Sequence, residues 1–221
     1  SKWGLSPALL EGMDRIAAWN LVSAVDAFLT AGFSPAELLQ AIHPADVAST
    51  QGTGFGGMTS MRELFVDRFL GEEYPQDVLQ ETLPNVVAAH TMQNFIGGYG
   101  PMVQPVSACA TAAVSVEDGL DKIHTGKAKF VVAGATDDLS VESLVGFGSM
   151  NATANSAEMA AKGLNERFYS RANDRRRGGF IESQGGGTVL LARGDLAAEL
   201  GLPVLSVVAF GAVCWLVVRP L

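Results

Sequence analysis

The sequence predicts an α/β fold in which a mainly parallel sheet carries helices on both faces. Two observations predict it. Apolar residues recur at helical spacing in segments separated by short β-branched runs, the alternation expected when strands are joined by helical crossovers. One of those runs, "KFVVAGATDD" (129–138), opens with continuous apolar residues, as in a parallel-type strand buried on both faces.

Each element has its own signal. Ser6-Pro7 is an N-cap followed by proline at the first helical position, and helical spacing continues from there to Gly32. Ser34-Pro35 repeats the signal for a short helix ending near His43-Pro44. Val47 to Thr50 predicts a brief strand, Gly52 to Gly57 a glycine loop, and Met58 to Leu70 an amphipathic helix. Asp77 to Phe95 predicts a helix kinked at Pro84. Met102 to Ala108 predicts a strand running into Cys109, and a helix to about Thr125 follows, with Ala112, Val116, Leu120 and Ile123 as its apolar stripe. "SMNATANSAEMAAKGLNERF" predicts loop and helix, "SRANDRRRGGFIESQGGG" a polar connection, "TVLLA" a strand, and Asp195 to Leu200 a helix. The uncharged run Leu200 to Val218 is long enough to span a membrane. Gly201, Pro203, Ser206 and Gly211 interrupt it, and Val204, Val207 and Val208 favour a buried strand.

A chain of 221 residues with 48% hydrophobic content can bury a sizeable core within one domain. Its formal charge of −8 disfavours nucleic acid as a partner, since phosphate neutralisation needs clustered Lys and Arg. The acidic balance suits a metabolic role in the cytoplasm, and two cysteines, Cys109 and Cys214, too few and too far apart for a disulfide framework or a C-x-x-C metal site, imply a reducing compartment. Lys2 and Trp3 lead into a mixed helix without the pattern of a signal peptide.

Cys109 is the first candidate for chemistry. It falls where a strand is predicted to end and a helix to begin, so backbone N–H groups and the helix dipole favour an anion there, either a thiolate or an oxyanion. Small neighbours Ser107, Ala108, Ala110 and Ala112 leave room for a substrate. A buried structural thiol remains equally compatible with the residues alone. Gly52, Gly54 and Gly57 satisfy G-x-G-x-x-G, but the preceding strand is short and no acidic residue ends a second strand about 20 positions on. Close backbone packing is the better use of these glycines. Arg171, Arg175, Arg176 and Arg177 suit a phosphate or an acidic protein face, and Asp174 within the run offers a simpler ion-pair partner. His43, His90 and His124 lack ligand spacing and none is placed to serve Cys109 as a base, which argues against a cysteine hydrolase. Trp3, Trp19 and Trp215 suit packing rather than base stacking.

At "SACATAAVSVEDGLDKIHTGKAKFVVAGATDD" the sequence resembles β-ketoacyl synthases, and more narrowly the ketosynthase domain of fungal and actinobacterial type I fatty acid synthases. The resemblance, which covers about Pro35 to Phe210, also rests on "GTGFGGMTSMRELFVDRF", "AGATDDLSVESLVGFGSMNATANS" and "GGFIESQGGG". It implies the N-terminal half of a thiolase-like fold, layered α/β/α/β/α. Residues 1–34 would be a helical lead-in, 35–210 the ketosynthase part and 211–221 a divergent apolar tail. It implies a transferase in fatty acid biosynthesis, a 3-oxoacyl-[acyl-carrier-protein] synthase: Cys109 takes an acyl group, then a malonyl thioester loses CO₂ and its carbanion attacks that acyl group. Phe147 and Met150 would lie near the acyl pocket, and the Cys109 N–H would be one oxyanion donor. Gln184 matches the type I group where stand-alone enzymes have Glu. Acyl carrier protein, acyl and malonyl thioesters, and a homodimer or larger synthase assembly are the implied partners, with neither nucleic acid nor membrane. No cofactor is bound directly; phosphopantetheine arrives on the carrier. The family's two catalytic histidines and lysine come from its second half, whereas only His124 follows Cys109, so the expectation is an incomplete site unable to condense. A non-catalytic scaffold segment of the synthase is the alternative.

Overall fold

Residues 6–71, 73 and 76–209 are described by the computed structural model. They divide into two units, one made of residues 6–137 and 186–209, the other of Asp138–Gly185. In the first unit Ser6 caps α1 (Pro7–Glu11), its side chain accepting the Leu9 N–H. The helical run to Gly32 is broken, however, because Asp14 caps a second helix, α2 (Arg15–Ala31), by accepting the Ile16 N–H. Gly32 closes α2 with φ of 79°, a left-handed conformation that disfavours any Cβ. The Ser34–Glu37 capping box starts α3 (Pro35–Ala41), and β1 (Val47–Ser49) follows.

The next helices depart from their patterns. α4 (Met58–Arg62) passes through a π turn, Glu63–Asp67, into α5 (Arg68–Leu70), and Phe65, Val66, Phe69 and Leu70 are exposed rather than forming a buried stripe. Pro84 does not kink one helix. It separates α6 (Val78–Glu81) from α7 (Pro84–Thr91) by occupying the first position of the latter, where its missing N–H costs nothing. A π turn, Met92–Ile96, extends α7. α8 (Thr111–His124) and β2 (Phe130–Asp137) come next. The second unit holds α9 (Val141–Ser149) and α10 (Ser156–Ala161), after which β3 (Gly185–Ala192) and α11 (Gly194–Glu199) return to the first.

The sheet order is β1-β2-β3, with β1 parallel to β2 in the register Val47↔Phe130, Ala48↔Val131, Ser49↔Val132. β3 runs the other way: the Arg193 N–H donates to the Lys129 carbonyl, while Gly187 approaches Gly134 and Gly186 approaches Thr136. The strand expected over Met102–Ala108 contracts to one parallel bridge, Ser49↔Met102. The Ser49 N–H donates to the Pro101 carbonyl and the Val103 N–H to the Ser49 carbonyl, but Pro105 has no N–H to continue a ladder.

Alternation along the strands divides the core between two faces. Val47, Phe130 and Val132 pack with Phe28 of α2, Leu38, Met92, Ile96 and Leu196 on one face. Ala48, Val131 and Ala133 meet Val116 and Ile123 of α8 on the other. Thus residues 15–31, within the expected lead-in, form a core helix of this unit. On α8 the expected stripe is displaced: Thr111, Ser115 and Gly119 are buried, Ala112 is exposed and Leu120 half-buried. Gly119 sits so close to the sheet that an added Cβ would stand 2.8 Å from Leu191 Cδ1. Small residues let the helix approach the sheet, and of the predicted stripe Val116 and Ile123 pack beside them.

The expected buried strand at Val204–Val208 is not formed. Leu205 is 92% and Val207 83% exposed, and residues 202–209 have no regular structure. Residues 210–218 of that run, Cys214, Trp3, Trp215 and the tail 211–221 lie outside the described residues. Among those described, no single helix is long and apolar enough to cross a membrane.

Candidate active site

Cys109 is exposed, at the centre of a one-turn 3-10 segment, Ala108–Ala110, that leads into α8. The residue before it, Ala108, has φ of 49°, in the left-handed region that an L residue with a Cβ enters only at a cost of order 1 kcal/mol. Such a conformation persists where neighbours hold it. Here the Ala110 N–H donates to the Ser107 carbonyl at 3.1 Å, and Thr111, only 1% exposed, spans the turn. Its Oγ1 accepts the Ser107 N–H at 2.9 Å and donates to the Ala108 carbonyl at 2.7 Å. The buried structural thiol that the residues alone allow is therefore set aside by the exposure of Cys109.

The glycine loop lies against this turn. A Cβ on Gly52 would stand 2.5 Å from the Pro105 carbonyl oxygen and would overlap the Thr111 methyl. On Gly54 it would stand 3.2 Å from Asp137 Oδ2 and 3.4 Å from the Ala108 carbonyl oxygen, and on Gly57 it would overlap the Glu81 carbonyl oxygen. Close packing, not dinucleotide binding, accounts for the three glycines. Asp137, at the end of β2, ties the loop down: its Oδ1 accepts from Thr53 Oγ1 at 3.0 Å and from the Gly54 N–H at 2.8 Å. Thr53 Oγ1 in turn accepts the Gly56 N–H. Beneath the turn, Thr50 Oγ1 donates to the Ser115 carbonyl and Ser115 Oγ accepts the Gly134 N–H, so α8 is bonded to the sheet as well as packed on it.

Two histidines have occupations of their own. His90 Nε2 pairs with the buried Glu81 at 2.8 Å, and Glu81 also accepts the Asp14 N–H, joining α7 to the cap of α2. His43 Nδ1 accepts the Ala45 N–H, and its ring meets Tyr99 edge-on. Trp19 packs beneath the Arg15 guanidinium, 5.1 Å from the ring centroid, as a packing residue should.

The remaining predicted site residues lie in the second unit. Phe147 is half-buried and stacks edge-on with Phe180 at 5.1 Å, while Met150, at the C-cap of α9, is 72% exposed. Gln184 is exposed. The arginine run is an ion-pair loop: Arg171 Nη2 meets Asp174 Oδ2 at 2.6 Å, and the Arg176 N–H donates to Asp174 Oδ1 at 2.7 Å. These bonds hold the Asp174 carboxyl well below the usual carboxylate range. A carboxylate stabilised in the fold contributes above its ordinary titration range, and that contribution fades as pH falls through the depressed one. Asp174→Asn is therefore expected to loosen the loop at neutral pH, read as faster tryptic cleavage at Arg175–Arg177; equal cleavage of both chains would show that the pairs do not restrain it.

Sequence reasoning named Ala108 only as a small neighbour and missed its left-handed backbone, and it missed Thr111, Thr53 and Asp137. Only Asp137 carried a signal, as an acidic residue at the end of a parallel strand, where sites of such sheets form.

The family described as β-ketoacyl synthase, N-terminal domain, matches residues 2–197. The fatty acid synthase subunit alpha of Saccharomyces cerevisiae is 36% identical over 95% of this chain, and a fatty acid synthase alpha subunit of Aspergillus parasiticus is 36% identical over 96%. The chain spans 11% and 13% of the length of those two relatives. Among solved structures, the noncanonical ketosynthase FabY from P. aeruginosa superposes with a TM-score of 0.81 at 22% identity, over 90% of this chain and 32% of that one. A β-ketoacyl synthase from Burkholderia phymatum gives 0.75 at 20% identity, over 92% and 47%. The fold is thiolase-like.

Proposed function

The chain belongs to the family of β-ketoacyl synthase N-terminal domains, and from that premise we propose that it carries the acyl-accepting part of a fatty acid synthase condensing site, with Cys109 as nucleophile. The observation that carries the proposal is the turn at Ala108–Ala110, which presents an exposed thiol beside the N-terminus of a fourteen-residue helix. The first-turn N–H groups of α8 have no side-chain cap, and their dipoles favour negative charge at the sulfur and at an adjacent oxygen.

The reaction follows from that placement. The Cys109 thiolate adds to the carbonyl carbon of an acyl thioester on the phosphopantetheine arm of acyl carrier protein, forming a carbon–sulfur bond. The carbonyl oxygen becomes an oxyanion that the Cys109 N–H stabilises. Collapse breaks the donor's carbon–sulfur bond, the departing thiolate takes up a proton, and the acyl group stays on Cys109. Condensation further requires a malonyl thioester to lose CO₂ and attack this acyl group. His43 and His90 are bonded elsewhere and His124 ends α8, fourteen residues long, at the end away from Cys109, so we assign that step to acid–base groups outside this chain; the chain alone accepts an acyl group without extending it. For a second copy of the chain, we propose the edge at Met102 and Val106 as the contact. Both are exposed, and between them Gln104 holds a buried side-chain amide with neither Nε2 nor Oε1 partnered among the described residues.

The test is incubation with an acyl-N-acetylcysteamine thioester followed by intact and peptide mass. The expected result is one acyl group on the peptide containing Cys109 and no carbon–carbon product when a malonyl thioester is added. An acyl group on Cys214 instead would refute the nucleophile assignment.

A further inference from the structure

The reading of Cys109 as nucleophile uses its own N–H as oxyanion donor, and on that reading the surroundings of the same peptide group become informative. A peptide is planar and trans, so its C=O and N–H point in opposite directions and fixing one aims the other. The carbonyl of the Ala108–Cys109 peptide accepts from Thr111 twice, from its backbone N–H and from Oγ1 at 2.7 Å. The same oxygen accepts the Ser107 N–H at 2.9 Å, so the hydroxyl is fixed from both sides and buried. We propose that Thr111 is a positioning residue of the acyl-transfer step: by holding the Ala108 carbonyl it turns the Cys109 N–H toward the reacting carbonyl oxygen. A donor bonded to the carbonyl also polarises the peptide, strengthening its N–H as a donor in turn. The left-handed φ of 49° at Ala108 gives this role its point, since an unrestrained alanine would relax and rotate the peptide.

Thr111 touches no substrate in this scheme, so its effect should fall on the oxyanion and not on the sulfur. Alkylation of a thiolate by iodoacetamide develops no oxyanion, whereas attack on a thioester does. In the full chain, Thr111→Val keeps the shape of the side chain, removes both hydrogen bonds of Oγ1 and leaves the backbone N–H bond to the Ala108 carbonyl, so it isolates the hydroxyl's part. It is expected to slow acylation of Cys109 by an acyl-N-acetylcysteamine thioester by about 100-fold, the scale of losing an oxyanion donor, while the iodoacetamide rate stays within a few-fold. Thr111→Ser, which restores the hydroxyl, should recover acylation to within a few-fold of wild type. Equal acylation rates in wild type and Thr111→Val overturn the proposal. So does a parallel fall of acylation and alkylation, which marks a merely structural residue. A wild-type chain that is never acylated at Cys109 overturns the nucleophile reading itself, and this proposal with it.

Discussion

Cys109→Ala is expected to abolish acyl uptake from a thioester, a loss on the order of 10³-fold or more, without a measurable change in stability. The two halves of that expectation have different origins. Removing the nucleophile leaves no atom to form the covalent bond, and neither the N-terminus of α8 nor the oxyanion donor can substitute for it. The thiol is exposed at the turn, so its removal opens no cavity, and a surface change of this kind stays within about 0.5 kcal/mol. Acylation measured by intact mass, beside denaturant midpoints for both chains, separates the effects. Cys109→Ala that still takes up an acyl group would move the nucleophile elsewhere. A large stability loss would mean that Cys109 is covered in the native protein.

The sequence made most of the first unit's framework legible because its signals are local. Ser34 caps α3 ahead of Pro35 as that pair predicts, and the apolar run in "KFVVAGATDD" becomes β2, buried along most of its length. What it did not reveal depends on contacts distant in the chain. The break before α2 follows from Asp14, whose Oδ2 accepts from both the N–H and the hydroxyl of Ser60, 46 residues on. The buried face of α8 is set by how near the helix comes to the sheet, and apolar spacing marks Val116 and Ile123 but not the close approach through Ser115 and Gly119. The candidate site divides the same way. Cys109 was visible from its place between predicted elements and from a resemblance, whereas the left-handed Ala108 and the bridging Thr111 became visible only in three dimensions. Val204–Val208 misled because β-branched composition favours a strand only where another strand is present to pair with it.

Phe28→Ala is expected to cost about 3–5 kcal/mol, the range for removing a buried aromatic ring. Phe28 is 1% exposed and sits between helix and sheet, with ring centroids 5.3 Å from Phe33, 5.6 Å from Phe95 and 6.0 Å from Phe130. Its loss removes the contact through which α2 meets β2 and the extension of α7, on the face of the sheet opposite α8. Those partners belong to separate elements joined by hydrogen bonds, including Asn20 to Val87 and Thr91, so the cavity cannot close by moving one side chain. Phe69, 84% exposed on α5, is the matched control, and Phe69→Ala should change stability by less than about 0.5 kcal/mol. Denaturant unfolding of the two variants reads the difference directly, with an unchanged slope showing that midpoints report stability. A small cost at Phe28 would contradict the core described for this unit. A cost at Phe69 equal to that at Phe28 would show that the apolar residues of the π turn and α5 are buried in the native protein against a surface supplied by another chain.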